Sequence, residues 1–216
     1  KIPTVNTTPE SYELQKNLRE MLNDGVEYVV MEFSSSAAML DRIDDIEFEV
    51  GVFTNISEDH IGPREHPTFQ NYLDCKCVLM EKARHSIINM DDEKAEYVLG
   101  KSRGDVEFYS IDKKSENMAR DIKFLREKHI LGVEFEYVGK YKEKFFLSSP
   151  GKFSVYNALA VITVSNYLNI DRDIIYSSLK KSSVEGRMEI VDINTPYTLI
   201  VDYAHNGVSL ESILST

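Results

Sequence analysis

Short apolar runs alternate along this chain with stretches whose apolar residues recur at helical spacing. The runs at 28–31, 50–53 and 86–88 are continuously apolar and end in polar residues, and 106–109 is a further strand candidate. Runs of this length without polar alternation are typical of strands buried on both faces of a parallel sheet. Because a helix is predicted between two of them, at 69–84, the pattern predicts an α/β fold with a mostly parallel sheet flanked by helices.

The segment Thr8-Pro9-Glu10 indicates the start of an N-terminal helix that runs to about Leu22. Threonine is a good N-cap residue, proline suits the first helical position, and an acidic residue in the first turn complements the helix dipole. From this segment alone a simple helix cap is favoured. The same geometry also has a functional interpretation, because hydroxyl and free N–H groups at a helix N-terminus suit an anion or a carbonyl-rich ligand, with Thr7 and Thr8 as the candidates.

The pattern changes in the second half of the chain. Alternating residues at 134–137 and 144–147 flank a polar, glycine-containing turn, which predicts a small antiparallel hairpin. The charged stretch 112–126 predicts a surface helix or loop, and helices are expected at 155–168 and 174–181.

A domain boundary is predicted near residue 184. Beyond it, two strands are expected at 188–193 and 198–201, followed by a helix that begins after Asn206. We therefore expect residues 1–184 to form one domain, and residues 185–216 to be the beginning of a second domain that is too short to fold alone.

Composition narrows the possible classes of protein. With 216 residues, 42% of them hydrophobic and 28% charged, the chain can bury a sizeable core and has an ordinary globular composition. A net charge of -11 argues against a nucleic-acid partner, which requires a basic face. No apolar run approaches the roughly 20 residues of a membrane span, so membrane insertion is not expected. Cys75 and Cys77 form neither a disulfide framework nor a zinc motif, and a reducing cytoplasm is the simplest setting.

Glu32 closes an apolar run and is followed by a serine-rich loop that contains Ser34, with Arg42 nearby. A carboxylate at the end of a buried strand is costly unless it is paired or bound to a metal, and Mg²⁺ takes one or two carboxylates while it keeps waters and substrate phosphates. The simpler interpretation, favoured from this segment alone, is that Glu32 pairs with a basic group and Arg42 forms a surface salt bridge. The guanidinium of Arg42 would also suit a substrate carboxylate or phosphate.

His60 follows a second predicted strand end, on the same sheet edge as Glu32, and this placement favours a ligand role. His66 lies in a Glu-His-Pro turn and is interpreted as structural. A lysine on a helix, such as Lys76, is ordinarily a solvated surface charge. Asn157 lies one turn into an apolar helix, where an amide usually bonds neighbouring backbone but could instead bind the edge of a base.

Two motifs near the C-terminus complete a series. Residues 186–189 read Gly-Arg-Met-Glu, and residues 202–206 read Asp-Tyr-Ala-His-Asn at the end of a predicted strand, where open α/β folds bind ligands. They follow, in order, Asn-Thr-Thr-Pro, Glu-x-Ser-Ser, Thr-Asn-x-x-x-Asp-His, a lysine and Asn-Ala-Leu-Ala. Over nearly the full chain this series resembles the central domain of the Mur ligases, the ATP-dependent amide-forming enzymes of peptidoglycan synthesis. The likeness is greatest to the branch that adds the third amino acid to UDP-N-acetylmuramoyl-L-alanyl-D-glutamate.

The resemblance implies a P-loop-NTPase-like central domain, the start of a Rossmann-like C-terminal domain, and two cofactors, ATP and Mg²⁺. It implies an acyl phosphate, formed on the D-glutamate carboxylate and displaced by the amine of an amino acid. The implied catalytic and metal-binding residues are Glu32, His60 and Lys76, the lysine as a carbamate whose oxygens suit Mg²⁺. The implied contacts are Thr7, Thr8, Ser34 and Arg42 for the UDP-N-acetylmuramoyl-peptide, and Asn157, Arg187 and Asp202 for ATP.

Several positions depart from the family's pattern. The family's phosphate loop, G-x-x-x-x-G-K-[ST], does not occur in the sequence, so we expect the chain alone to have no ligase activity. Further departures would fit a paralogue that acts on a related acyl-peptide; they lie at Ser36, Leu40, Ser154, Asn206 and Gly207. One alternative is a ligase similar to folylpolyglutamate synthase, which shares the fold. Another is a non-catalytic module that binds a nucleotide or a muropeptide.

Overall fold

The computed structural model of the chain describes residues 6–63, 65–127, 130–191, 193 and 197–214. The strands are β1 Phe48–Phe53, β2 Ala83–Asn89, β3 Asp105–Ser110, β4 Asn117–Glu127, β5 Ile130–Val138, β6 Lys142–Leu147, β7 Glu189–Val191 and β8 Leu199–Val201. The helices are α1 Ser11–Asn23, α2 Ser35–Met39, α3 Phe69–Lys82, α4 Ala95–Lys101, α5 Lys152–Tyr167, α6 Arg172–Lys181 and α7 Gly207–Leu214.

A six-stranded sheet with the order β1-β2-β3-β4-β5-β6 is the main element of the fold. Its first three strands alternate along the chain with α3 and α4, and β3 pairs with β4 in parallel. The ladders between β4 and β5 and between β5 and β6 are antiparallel. The predicted α/β class, with a mostly parallel sheet flanked by helices and a small antiparallel hairpin, is confirmed.

The described residues fall into two compact units. The first draws on Lys1–Val52, Ile56–Ser86 and Glu96–Val106, and the second on Phe53–Asn55, Ile87–Ala95 and Glu107–Thr216. In the first unit, α2 packs against α3, whose buried side chains include Leu73, Cys77 and Met80. In the second unit, α5 packs on β4 and β5 and buries Leu159 and Ile162.

The strand predicted at 28–31 does not form. Its backbone belongs to no strand, Val30 is fully exposed and Tyr28 is 60% exposed. An apolar run becomes a buried strand only where neighbours satisfy its backbone and cover both faces. Within the described residues the sheet begins with β1, so no described strand supplies that cover.

The charged stretch at 112–126 was expected to be a surface helix or loop, and this prediction is wrong. Most of it belongs to β4, which pairs with β3 on one side and β5 on the other. Met118 and Ala119 are buried at the start of the strand, whereas most of the charged residues that follow are exposed. Pairing on both sides satisfies the β4 backbone, and it outweighs the low strand propensity of the charged residues.

The last two predicted strands form a separate two-stranded antiparallel sheet, in which Ile190 lies opposite Ile200. β7 covers less of the chain than the predicted 188–193, and residue 192 lies outside the described residues. No helix in the described part of the chain is both long enough and apolar enough to cross a membrane.

Candidate active site

Thr8 joins the N-terminal segment to the loop that carries Glu32 and Ser34. Its side chain is fully buried, and its hydroxyl donates to the Glu32 carbonyl at 3.1 Å and accepts from the Ser34 N–H at 3.1 Å. The prediction that Thr8 caps the first helix is therefore wrong, because α1 has its N-cap at Glu10, without a side-chain cap hydrogen bond. The hydroxyl satisfies the backbone of another segment instead of its own helix, whereas Thr7 is exposed.

Arg42 holds the same N-terminal segment through a buried guanidinium. Nη1 donates to the Thr8 carbonyl at 3.2 Å, while Nε and Nη2 reach the two carboxylate oxygens of Glu10 at 3.1 and 2.6 Å. Two parallel bonds to one carboxylate are the strong form of an arginine ion pair. Of the two interpretations left open by the sequence, the structure shows the salt bridge, with the Arg42 side chain only 9% exposed and the Glu10 side chain 57% exposed.

Ser34 lies two residues after Glu32 and immediately before the short helix α2. Its hydroxyl accepts from the Ala37 N–H at 3.3 Å, which makes Ser34 the N-cap of α2. The side chain of Ser34 is partly exposed and that of Glu32 is exposed. The carboxylate of Glu32 is therefore accessible to a ligand, while its carbonyl is fixed by Thr8.

His60 lies in a loop before α3 with an unusual backbone conformation. Its φ of 55° is in the left-handed region, which non-glycine residues adopt at a cost. The backbone N–H donates to Asp59 Oδ1 at 2.9 Å, and the half-exposed ring places Nδ1 3.3 Å from Glu65 Oε1. The loop thus presents an imidazole to solvent, with one ring nitrogen beside a carboxylate.

Lys76 and His60 both lie close to the Tyr72 ring. Lys76 Nζ is 5.6 Å from the centroid of that ring, and the His60 ring centroid is 5.8 Å from it. Burial lowers the pKa of Lys76, and the negative charge of Glu32 partly opposes this shift. A lowered pKa leaves more of the Lys76 amine unprotonated at a given pH than in a solvated lysine, and this amine lies within electrostatic reach of Glu32.

A metal site built from ordinary ligands alone is absent from the described residues: no group of three or more His, Cys, Asp or Glu side chains could hold an ion. Glu32 and His60 supply one carboxylate and one imidazole. Mg²⁺ prefers several oxygen ligands, so these residues fit it only if Lys76 contributes carbamate oxygens and if substrate phosphates or waters complete the set.

In the second compact unit, Asn157 is exposed on α5 beside a rigid cluster centred on Asp91. The Asp91 carboxylate accepts from three consecutive backbone N–H groups, at residues 111–113, and from the Tyr156 hydroxyl at 2.9 Å. Burial acts to raise the pKa of Asp91, but these four donors outweigh it and lower the pKa. The pKa of Tyr156 is raised, by burial first and then by Asp91. The cluster fixes the turn of α5 that precedes Asn157.

The two C-terminal motifs are joined by Asp202. Its carboxylate accepts from the Met188 N–H at 2.8 Å and from the Ala204 N–H at 2.7 Å. The guanidinium of Arg187 lies 5.0 Å from the centroid of the Tyr203 ring and is exposed. The Gly-Arg-Met-Glu and Asp-Tyr-Ala-His segments therefore form one local structure. Their predicted contact with ATP stays a prediction.

The sequence analysis did not predict the contacts of two residues. His66, interpreted as structural, is 1% exposed and bridges Ser35 and Asn71, in agreement with that interpretation. Asp91 organises residues about twenty positions away. Neither set of contacts gives a periodic signal in the sequence, because each joins distant segments. The only cue for Asp91 is that it is a polar residue close to an apolar strand.

The structure brings the predicted substrate and metal residues together in the first unit: Thr7, Thr8, Glu32, Ser34, Arg42, His60 and Lys76. The predicted ATP-binding residues all belong to the second unit: Asn157, Arg187 and Asp202. The roles of these ten residues stay predictions.

Comparison with known proteins agrees with the resemblance. The chain is 42% identical, over its whole length, to the UDP-N-acetylmuramoyl-L-alanyl-D-glutamate--2,6-diaminopimelate ligase of Clostridium perfringens, of which it covers 45%. It is 37% identical to the corresponding L-lysine ligase of Streptococcus thermophilus, over 96% of this chain and 41% of that protein. A solved structure of a 2,6-diaminopimelate ligase of this kind shares the fold, with a TM-score of 0.81 at 22% identity, covering 100% of this chain and 45% of that one.

The chain thus spans less than half the length of the relatives that it matches. Residues 1–165 match the sequence family described as the Mur ligase middle domain, and this match covers most of the chain. The chain therefore belongs to the Mur ligase family.

Proposed function

We propose that this chain is the central part of a cytoplasmic, ATP-dependent ligase that joins UDP-N-acetylmuramoyl-L-alanyl-D-glutamate to an amino acid in peptidoglycan synthesis. The observation that carries the proposal is the 42% identity, across the full chain, to a protein named for that reaction. The geometry around Glu32, His60 and Lys76 supports it, because it offers oxygen and nitrogen ligands beside an amine of lowered pKa.

The reaction proceeds in two steps. An oxygen of the D-glutamate carboxylate attacks the terminal phosphorus of ATP, the bond to the bridging oxygen breaks, and ADP leaves. The neutral amine of the amino acid then attacks the acyl carbon, phosphate leaves, and the amine loses a proton to solvent. Positioning and charge neutralisation carry most of such phosphoryl-transfer catalysis.

Lys76 is proposed to react with CO₂ as a neutral amine. The nitrogen forms a bond to carbon and releases a proton, and the product is an anionic carbamate. The lowered pKa of Lys76 supports this step, since only the unprotonated amine is nucleophilic. Glu32, His60 and the carbamate would hold Mg²⁺, which supplies positive charge against the phosphates when it is bound.

The muramoyl-peptide is proposed to contact Thr7, Ser34 and Arg42, while the buried Thr8 would position the Glu32–Ser34 loop through its two hydrogen bonds. Thr7 is exposed and Ser34 partly exposed, so both are accessible. Arg42 would exchange Glu10 for a substrate carboxylate and keep its bond to the Thr8 carbonyl. The exposure of the Glu10 side chain, 57% against 9% for Arg42, supports this exchange, because Glu10 can return to water at little cost.

ATP is proposed to contact Asn157, Arg187 and Asp202. Exposure of Asn157 and Arg187 supports this assignment. We further propose that residues 1–184 form the central domain and residues 185–216 begin the C-terminal one. The family match over residues 1–165 and the separate β7–β8 sheet support that division.

We propose that the amino acid added is a diamino acid, with 2,6-diaminopimelate favoured over lysine. Relatives named for both occur, and the diaminopimelate ligase of Clostridium perfringens is the more similar of the two.

The test is phosphate release by the native protein that contains this sequence, with ATP, Mg²⁺, the muramoyl-dipeptide and either diaminopimelate or lysine. A folate substrate with glutamate serves as the control for a folylpolyglutamate synthase. Release that requires the muramoyl-dipeptide and one diamino acid is the expected result. Release with the folate substrate alone, or no release with any muramoyl substrate, would refute the proposal.

A further inference from the structure

We propose that His66 is a positioning residue that holds together the three segments carrying Glu32, His60 and Lys76. This inference rests on the proposed function, which assigns the three segments to one metal site. His66 does not itself contact the substrate or the metal; it fixes the distances between the residues that do.

The side chain of His66 bridges two helices. Nε2 is 2.8 Å from the hydroxyl of Ser35, the first residue of α2, and Nδ1 is 2.7 Å from Asn71 Oδ1 in the first turn of α3. Ser35 directly follows Ser34 and lies three residues after Glu32, while Asn71 lies on the same helix as Lys76. The imidazole therefore ties the Glu32 loop to the helix of Lys76.

The backbone of His66 holds the third segment. Its N–H donates to the His60 carbonyl at 3.0 Å, and its own carbonyl accepts from the Gly62 N–H at 3.1 Å. These two bonds close the loop in which His60 has its left-handed conformation. One residue thus bonds to all three segments.

Both ring nitrogens have a polar partner. Asn71 presents an amide oxygen, which accepts from Nδ1, and Nε2 shares a hydrogen bond with the Ser35 hydroxyl. A ring bonded at both nitrogens has one orientation, and the Tyr72 ring packs against it with 5.2 Å between the centroids. Polar partners one step removed from metal ligands commonly change metal affinity or activity by 10–100-fold when they are lost.

The Ser35-His66-Asn71 series has the order of a nucleophilic triad, but burial excludes that role in this structure. Ser35 is 5% exposed and His66 is 1% exposed, so a substrate carbonyl could not reach the serine hydroxyl. The same burial suits a structural link, because bonds shielded from water hold their geometry well.

The experiment compares four variants in the native protein. His66→Leu removes both side-chain bonds, Ser35→Ala removes one of them, and His66→Gln keeps one donor and one acceptor. His85→Leu is the matched control, because His85 is a buried histidine of the same unit, on β2. Two quantities are measured: the Mg²⁺ concentration for half-maximal phosphate release, and amide hydrogen exchange in residues 32–36 and 60–66 without ligands.

We expect His66→Leu and Ser35→Ala to raise the half-maximal Mg²⁺ concentration by roughly 10-fold or more, and His66→Gln to restore most of the loss. In His66→Leu and Ser35→Ala, amide hydrogen exchange should also be faster in both 32–36 and 60–66. His85→Leu should change neither the half-maximal Mg²⁺ concentration nor the exchange in these two segments, even if it lowers the melting temperature.

An equal Mg²⁺ shift in His85→Leu, or exchange that rises only around residue 66, would overturn the inference. If the unsubstituted protein releases no phosphate with any muramoyl substrate, the proposed function fails, and the exchange data alone then decide the positioning role. His66→Leu failing to fold leaves Ser35→Ala, which removes a single bond, to decide it.

Discussion

Replacing Thr8 with valine is expected to lower the free energy of unfolding by about 2 kcal/mol. Valine has nearly the shape of threonine, so the buried side chain leaves no cavity, and the loss comes from the hydroxyl. That hydroxyl makes two bonds, to the Glu32 carbonyl and from the Ser34 N–H, each at 3.1 Å. At about 1 kcal/mol net for each bond, the sum is about 2 kcal/mol, and it rises towards about 4 kcal/mol if both groups stay without a partner.

For a chain of this length, 1 kcal/mol corresponds to roughly 2–4 °C, so the melting temperature should fall by about 4–8 °C. The assay is thermal and urea unfolding of the 216-residue chain, followed by circular dichroism. Thr7→Val is the control, because the exposed Thr7 should change the free energy by no more than about 0.5 kcal/mol. Thr8→Ser keeps the hydroxyl and should lie between the two. Equal effects of Thr8→Val and Thr7→Val would refute the assignment of both hydrogen bonds.

Three further predictions follow from the other sites. Lys76→Arg should reduce phosphate release by the native protein about 100-fold or more, since a guanidinium does not form the carbamate, while Lys16→Arg should have no effect. Acylation of Lys76, followed by mass spectrometry, should be half-maximal at a lower pH than acylation of a free lysine side chain, because burial lowers the pKa of Lys76, and an equal or higher pH would contradict the assignment. Asp91→Asn should destabilise the chain by about 2 kcal/mol or more at neutral pH. Because the folded-state pKa of Asp91 is lowered, its contribution is present above the ordinary aspartate pKa and is lost as the pH falls through the folded value, so the loss of stability in acid should be smaller in Asp91→Asn than in the unsubstituted chain. Asn157→Ala should raise the KM for ATP about 10-fold with no change in melting temperature, because the side chain is exposed, and a drop of several degrees would show a structural role instead.

The pattern of hydrophobic and polar residues correctly predicted the elements whose formation depends mainly on neighbouring positions in the sequence. Periodicity was enough for α3, α5 and the β5–β6 hairpin, since each signal lies within one element or one turn. It failed at 28–31 and in β4, where the outcome depends on which strands lie alongside. An apolar run with no neighbouring strand among the described residues is exposed, and a charged run with a strand on each side is itself a strand.

In the candidate site, too, the sequence predicted which residues matter but not the contacts between distant segments. Order and spacing of motifs selected Glu32, His60 and Lys76. In the structure His60 and Lys76 lie close to Tyr72, and Glu32 is within electrostatic reach of Lys76. The partner of Arg42 was not predictable, because its two interpretations differ only in which carboxylate lies near it in space. The link from Ser35 to His66 spans 31 positions and has no signature in the sequence.

The motif residues fall into two groups, buried residues that stabilise the fold and exposed residues that contribute little to packing. Thr8 and Arg42 are buried and bonded to backbone, so their substitution should reduce stability and activity together. Glu32, His60 and Asn157 are exposed, and packing gives little reason for their identity. His60 has a left-handed backbone that glycine would adopt more easily, so its imidazole stands at a position with a conformational cost. Exposed polar residues held in such positions indicate ligand binding more directly than buried ones do, and on this ground His60 and Glu32 are the first residues in which activity should fall while the melting temperature stays unchanged.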